Sequence, residues 1–374
     1  MSTYKTSLFR IAIVMIAFVG ISCQESDDVT KGMEVPETYE FMRNGESSVS
    51  YQGQTDRMNM LEELKNYIAT SHNGDQLDEN ILLDMYANEN SPFGNAELNT
   101  STKNLESKTF IADVNFFKEE LKSAAASSGT TEDAAQGKAG LIARSPGNNI
   151  LVDEKGWEYV QIIEKGLMGA VFFNQIFNVY LSDSKIGNDV NNEDLVEGKN
   201  YTAMEHHWDE AFGYYGINPS FDTEGVVRFW GKYAYGRAGH TESAMKLKDA
   251  FLAGRTAIVN KDNEARDAAR DILYKEFELV SAATAIHYIN SGISDISNAA
   301  TGELFHHISE AYAFTMALKY SPFKSITDEQ IDTILHSNFG KDADFWTISV
   351  DGLIKARATL VEVYPSLAEV ASEL

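Results

Sequence analysis

Half of the eight histidines in this 374-residue chain stand in two adjacent pairs, and each pair is followed by a glutamate. The second histidine of each pair precedes that glutamate by three residues, so on a helix both side chains lie on one face. Imidazole and carboxylate together suit iron, zinc, copper or nickel better than calcium or magnesium. The spacing therefore predicts a metal ion as the cofactor, with iron and zinc among the candidates. The predicted metal ligands are His207, Glu210, His307 and Glu310.

Further polar residues adjoin these predicted ligands. Metal-binding histidines need neighbours that hold the ring in one orientation through hydrogen bonds. The residues we expect in this supporting role are Glu205, His206, Asp209 and His306. A histidine and a glutamate at this spacing also form an ordinary hydrogen-bonded pair on a helix, so a purely structural interpretation stays open.

The two segments are similar beyond the histidines. Residues 205–214 read EHHWDEAFGY and residues 305–314 read FHHISEAYAF, so the His-His, Glu and Ala positions coincide and an aromatic residue follows in both. Each segment comes after a long apolar stretch and a polar loop. The period is too long and the copies too few for a solenoid. This repeat predicts two related helical bundles that face each other.

The remaining pattern predicts an all-α fold with a small N-terminal β-hairpin. Asn44-Gly45 is a strong hairpin signal between alternating residues. Apolar residues then recur at helical spacing, most clearly over 157–181, where they cover several sides of the predicted helix. Further helices are predicted at 202–215, 246–259, 262–290, 302–319 and 350–363. Thr327 and Gln330 form a predicted capping box, and few strand signals follow the hairpin.

The domain boundaries follow from the predicted elements. The expected divisions are a lipoprotein signal peptide at 1–22, a tether at 23–36, the hairpin at 37–53, a first helical half at 54–220 and a second helical half at 221–374.

The N-terminus predicts lipid anchoring. Lys5 and Arg10 precede a short apolar run, and Gly20-Ile21-Ser22-Cys23 resembles a bacterial lipobox. Cys23, the single cysteine, is then the lipidated first residue of the mature chain. The acidic residues after it resemble surface-export signals of some diderm bacteria. We expect a membrane-anchored lipoprotein at the outer membrane or cell surface that contacts the membrane through this anchor alone.

The charge balance excludes one class of partner. With 56 acidic against 31 basic residues, the formal net charge is −25. Phosphates would be repelled, so neither nucleic acid nor an anionic membrane surface is an expected partner.

Around the first histidine pair the chain resembles the imelysin-like family, secreted and lipid-anchored bacterial proteins once described as metallopeptidases. That family has a Gly-x-His-x-x-Glu motif in two related helical bundles, with a metal site between the halves and a link to iron uptake. The His and Glu of the motif correspond to His207 and Glu210, whereas Glu205 replaces the Gly. The string MEHHWDEAFGYYG and the later RFWGKYA resemble an uncharacterised lipoprotein branch of that superfamily.

These observations favour an envelope lipoprotein that binds a metal ion or an iron-containing ligand in metal acquisition. Two alternatives stay open. One is a metal-dependent peptidase, although the sequence offers no second catalytic pair and no His-Glu-x-x-His string. The other is a helical adaptor that binds another envelope protein, with the two histidine segments serving the fold alone.

Overall fold

The first element of the protein is the hairpin that Asn44-Gly45 predicts. The computed structural model describes residues 32–374. In it, β1 (Met42–Arg43) pairs antiparallel with β2 (Glu46–Ser47). Asn44 and Gly45 both have positive φ, 53° and 84°, as a two-residue hairpin turn requires. The predicted N-terminal hairpin is confirmed.

Four helices follow the hairpin. The first, α1, buries Met58, Leu61, Leu64 and Ile68, the positions whose spacing predicts its inner face. An Asp78 side chain caps α2 by accepting hydrogen bonds from two backbone N–H groups. The bounds are α1 (Gln52–Ala69), α2 (Glu79–Ala87), α3 (Ala96–Thr100) and α4 (Val114–Ser127).

A second hairpin differs from the prediction of few strands beyond the first. Strands β3 (Gly140–Ser145) and β4 (Asn148–Val152) pair antiparallel, with a bulge between Ala143 and Ser145. Pro146-Gly147 at the turn is the local signal that could have revealed it. The structure is therefore mostly helical, with two short hairpins.

The apolar stretch 157–181 forms a buried helix of mixed type. It begins as α5 (Tyr159–Leu167) and continues as π-helical turns over Met168–Phe173 and Gln175–Tyr180. A Cβ added at Gly166 would lie 2.8 Å from the Phe117 ring, and one at Gly169 would lie 2.9 Å from Ala317. These glycines allow the close helix contacts that compensate for their low helix propensity.

The rest of the described chain is helical with short turns between. α10 is the longest helix and packs along both α9 and α11, while α11 also packs against α5 and β3. Thr327 and Gln330 form the predicted capping box at the start of α12. The bounds are α6 (Asp183–Ile186), α7 (Ala203–Gly213), α8 (Phe229–Gly236), α9 (Ser243–Val259), α10 (Asn263–Ser297), α11 (Thr301–Ala317), α12 (Asp328–Thr333) and α13 (Val350–Val363).

Residues Met33–Leu374 cluster as one compact unit. The division into two related halves at residue 220 stays a prediction. The structure places the first histidine segment on α7 and the second on α11.

Candidate functional site

Helix α7 places the first histidine pair close to its N-terminus. Thr202 caps the helix: its side chain accepts a hydrogen bond from the backbone of Glu205, and the Glu205 carboxylate accepts one from the backbone of Thr202. This reciprocal capping box fixes where the helix begins. His206 and His207 follow immediately, and both are half-buried.

Backbone carbonyls orient both rings. The Nδ1 atom of His206 lies 3.0 Å from the carbonyl oxygen of Ser50, and that of His207 lies 2.9 Å from the carbonyl oxygen of Lys185. A carbonyl oxygen only accepts, so each Nδ1 carries the hydrogen and each neutral ring keeps its lone pair on Nε2. Tyr201 also stacks on His206, with ring centroids 4.6 Å apart.

Glu210 lies beside this pair. Its Oε2 is 3.9 Å from Nε2 of His206, one turn earlier, and its Oε1 accepts a hydrogen bond of 3.1 Å from the Gln54 amide. The sequence pairs Glu210 with His207, whereas the contact in the structure is with His206. One turn of α7 therefore offers two imidazole Nε2 atoms and one carboxylate.

His207 is suited to act as a neutral ligand. Burial lowers its pKa below the usual value, against the opposing effect of its hydrogen bond with the Lys185 carbonyl. The ring is thus uncharged at neutral pH. Only a neutral imidazole has a lone pair to give to a metal ion or to a proton.

The second pair, on α11, is held in the same manner by carboxylates. Nδ1 of His306 lies 2.7 Å from Oε2 of Glu158, and Nδ1 of His307 lies 2.7 Å from Oδ2 of Asp295. Burial opposes ionisation of Glu158, but its hydrogen bond with His306 and the nearby His72 and Arg144 side chains outweigh burial and lower the pKa of this carboxyl. An ionised carboxylate accepts hydrogen bonds only, so these Nδ1 atoms also carry hydrogen.

Glu310 differs from its counterpart Glu210. It is buried, and its Oε1 lies 3.9 Å from the ammonium group of Lys165, which is buried too and bonded to Glu164. Burial opposes the charge of Lys165, yet Glu164 and Glu310 raise its pKa. Glu310 therefore balances a buried lysine and is less available to a ligand than Glu210.

The acidic residues predicted to support the first pair have other partners. Arg43 binds Glu205 through two bonds, of 2.7 and 2.8 Å. Asp209 accepts hydrogen bonds from Arg255 and from the Tyr39 hydroxyl, both at 2.9 Å. These contacts attach α7 to the N-terminal hairpin and to α9. The role of orienting the histidines belongs instead to the carbonyls of residues 50 and 185.

The two segments have separate surroundings. Within residues 32–374, no hydrogen bond or ion pair joins α7 to α11. In the same range, no group of three or more His, Cys, Asp or Glu side chains is gathered closely enough to hold a metal ion. A metal bound at either segment would need further ligands.

Neither of the carboxylates that hold the second pair is predicted from the sequence. Glu158 precedes α5 and Asp295 ends α10, so each reaches its histidine only through the packing of α11. No local motif marks either residue.

Cys23 and the predicted signal peptide lie outside the described residues. No helix in the described part of the chain has the length and apolar character needed to cross a membrane.

Comparison with known proteins places almost all of the described region in one family. The model of a domain of unknown function, DUF4856, matches residues 36–370. Neither a curated protein nor a solved structure matches the chain. The match covers both histidine segments and all thirteen α-helices of the described region, and the chain therefore belongs to the DUF4856 family.

Proposed function

We propose that this protein is a lipid-anchored envelope protein that binds a metal ion, with iron favoured, in metal acquisition. The observation that supports the proposal most is the hydrogen bonding of the four paired histidines. Every one has its Nδ1 bound to an acceptor, two to backbone carbonyls and two to carboxylates. This is the arrangement that metal-binding histidines use, because it fixes the tautomer and directs the Nε2 lone pair to the metal.

The segment on α7 is the better binding site of the two. Among residues 32–374, its Glu210 contacts only an amide and the His206 ring, while Glu310 on α11 faces a buried lysine. The donors we assign to the metal are Nε2 of His206, Nε2 of His207 and the Glu210 carboxylate. His206 thus becomes a ligand in this proposal, rather than the supporting residue that the sequence suggests.

The small number of protein donors favours a metal ion that is partly coordinated by another molecule. Structural zinc sites use four protein ligands, and iron sites leave positions open for other molecules. The three donors of this turn are not gathered closely enough in the structure to hold a metal ion, so binding requires their side chains to move together. Even then, part of the coordination shell is left to water or to a molecule that arrives with the metal. An iron-containing ligand, in which another molecule supplies the remaining donors, suits this small number of donors. The resemblance to the imelysin-like family and the lipobox at Cys23 support the link to iron uptake at the envelope.

The two other functions have less support. A metal-dependent peptidase needs an open coordination position and a general base as well as firm metal ligands. Here the one carboxylate beside the histidines is already used as a ligand. If the protein were only a helical adaptor, the orientation of four imidazoles would have no function. A measurement of bound metal distinguishes this alternative from the lead proposal.

Metal binding by the α7 segment can be measured by equilibrium dialysis of the purified protein against ferrous iron and against zinc, followed by elemental analysis. Changes in supporting residues alone weaken metal sites by about 10–100-fold. We therefore expect His206→Ala, His207→Ala and Glu210→Ala each to weaken binding at least about tenfold. His240→Ala, at a histidine outside both segments, is the matched control and should bind as wild type does. Equal metal content in wild type, the three ligand variants and the His240→Ala control would refute the proposal.

A further inference from the structure

A cavity of about 510 Å³ opens between α4, the start of α5, α11 and α12. It is separate from the α7 histidines. Three aromatic side chains line it, one from each of the first three elements, and carboxylates surround it. The aromatic residues are Phe116, Trp157 and Tyr312, and the acidic residues are Asp113, Asp328 and Asp332.

The aromatic wall is fixed in place. The ring centroids of Trp157 and Tyr312 are 4.7 Å apart, and those of Phe116 and Trp157 are 6.5 Å apart. The Trp157 indole donates a hydrogen bond of 2.8 Å to the carbonyl of Ala343. Trp157 is only 8% exposed and Tyr312 only 4%, and the Lys155 ammonium group lies 5.8 Å from the Trp157 ring centroid, so packing holds both rings in place.

The hydroxyl of Tyr312 forms no hydrogen bond among residues 32–374, and although most of the residue is buried, the hydroxyl oxygen itself is not enclosed. Burial raises its pKa, and the carboxylates of Glu120, Asp332 and Asp113 raise it further. The hydroxyl thus lies in a negative field at the wall of the cavity. It is free to form a hydrogen bond with a molecule that enters the cavity.

The charges around the cavity leave one carboxylate unpaired. Asp113 accepts bonds from Lys319, at 3.0 Å, and from the Tyr320 hydroxyl, at 2.7 Å, so the lining lysine is already neutralised. Asp328 pairs with Lys324 at 3.3 Å. Asp332 forms no ion pair or hydrogen bond within the described part of the chain, and its charge is therefore available to a cation.

We propose that this cavity binds a small organic cation with methylated or alkylated nitrogen, a quaternary ammonium compound. Aromatic faces attract such cations, and they offer apolar contact to the methyl groups that water does not. Phe116, Trp157 and Tyr312 would contact the cation, while Asp332 would balance its charge. The Tyr312 hydroxyl would accept or donate the one hydrogen bond to the polar end of the ligand. This inference is independent of metal binding at α7.

Isothermal titration of the full chain with choline tests the charge requirement. The comparison ligand is the uncharged carbon isostere, in which a tert-butyl group replaces the trimethylammonium group. We expect choline to bind and the isostere to bind at least about threefold more weakly, as the cation–π attraction implies. Failure of choline to bind, or equal affinity for both compounds, would overturn the proposal.

Variants locate the site. Asp332 is exposed on α12, so Asp332→Asn should leave the fold intact and weaken choline binding about three- to tenfold. Tyr312→Phe keeps the ring and removes only the hydroxyl, and we expect a smaller loss. Asp249→Asn, an exposed aspartate on α9 that does not line the cavity, is the control and should bind choline as wild type does. If Asp332→Asn matched this control, the cavity would not be the binding site.

Discussion

Arg255 is a fully buried charged side chain beside α7, with 0% of it exposed. Its guanidinium group lies 2.9 Å from Asp209 and 3.1 Å from Glu205, and it also covers the Phe41 ring. Two carboxylates and one further arginine, Arg43, complete the group. The cluster anchors the helix that presents the first histidine pair, so its effect on that site is through the position of α7.

Removal of one partner from this cluster should be costly. Asp209→Ala leaves the Arg255 guanidinium buried without its closest counter-charge, which typically destabilises a protein by about 3–5 kcal/mol. Denaturant unfolding of this variant and of the exposed control Asp249→Ala measures the difference. A free energy of unfolding within about 0.5 kcal/mol of wild type would show that the cluster contributes little.

Glu120 gives the protein a pH dependence of its own. Burial, with the nearby charges of Asp153 and Glu154, raises its pKa to about 8 in the folded protein. The folded state therefore holds this proton more tightly than the unfolded chain. The contribution is present in full below the ordinary carboxyl pKa and is lost as the pH rises through about 8.

Glu120→Gln should remove that dependence. The variant carries no charge at any pH, so its stability should fall less than that of wild type between roughly pH 5 and 9, an interval that includes most of the range between the ordinary and the raised carboxyl pKa. Thermal unfolding across this interval is the measurement. Parallel stability curves for the two proteins would show that Glu120 titrates normally.

The chemistry of individual residues is only partly readable from the sequence. The paired histidines and Glu210 are visible because their spacing is local and helical. Their partners are not, since Ser50 and Lys185 contribute backbone carbonyls, which every residue has, and Glu158 reaches His306 from 148 residues away. Glu205 and Asp209 look like neighbours of the histidines in sequence but bind arginines from other elements.

At the scale of elements, regular periodicity is the reliable signal. Helix α13 has the bounds that its apolar pattern predicts, and α7, α9 and α11 begin or end within a few residues of expectation. The π-helical turns after α5 leave no such signal, because they arise where a buried helix adapts to its neighbours. The hairpin β3–β4 is too short for periodicity to reveal.

The contact of α9 with α7 depends on the absence of a side chain at Gly254. A Cβ there would overlap the Trp208 ring, which is itself fully buried. We expect Gly254→Ala to destabilise the protein by about 1–3 kcal/mol, the usual effect of overpacking, and to displace α7. Gly236, at the end of α8, has open space around it, so Gly236→Ala is the matched control and should be nearly neutral. Equal melting temperatures for both variants would contradict this packing.

At the scale of the whole molecule, the two main features are the repeated histidine segment and the net negative charge. Both histidine segments are helical, and both bury the alanine and the aromatic residue that follow the glutamate. The surroundings have diverged, since α7 carries acidic residues that bind arginines where α11 carries Phe305 and Ser309. A net charge of −25 makes the protein surface attract cations and repel phosphates.

Anchoring of the whole protein is predicted to depend on Cys23. Lipidation at this residue would hold the mature chain at the membrane, and two acyl signals are needed for stable attachment. Metabolic labelling with a clickable fatty acid should label wild type, and Cys23→Ala should lose the label and leave the membrane fraction. Without any label on the wild-type protein, the lipoprotein assignment fails.

The central claim is that the imidazoles of α7 bind iron, and X-ray absorption spectroscopy of the iron-loaded protein tests it most directly. The spectrum distinguishes imidazole from water or carboxylate through scattering by the outer ring atoms. We predict two imidazoles on the iron in wild type and none in the double variant His206→Ala/His207→Ala, with the His240→Ala control unchanged. Iron without imidazole ligands in wild type, or the same imidazole signal in the double variant, would contradict the account.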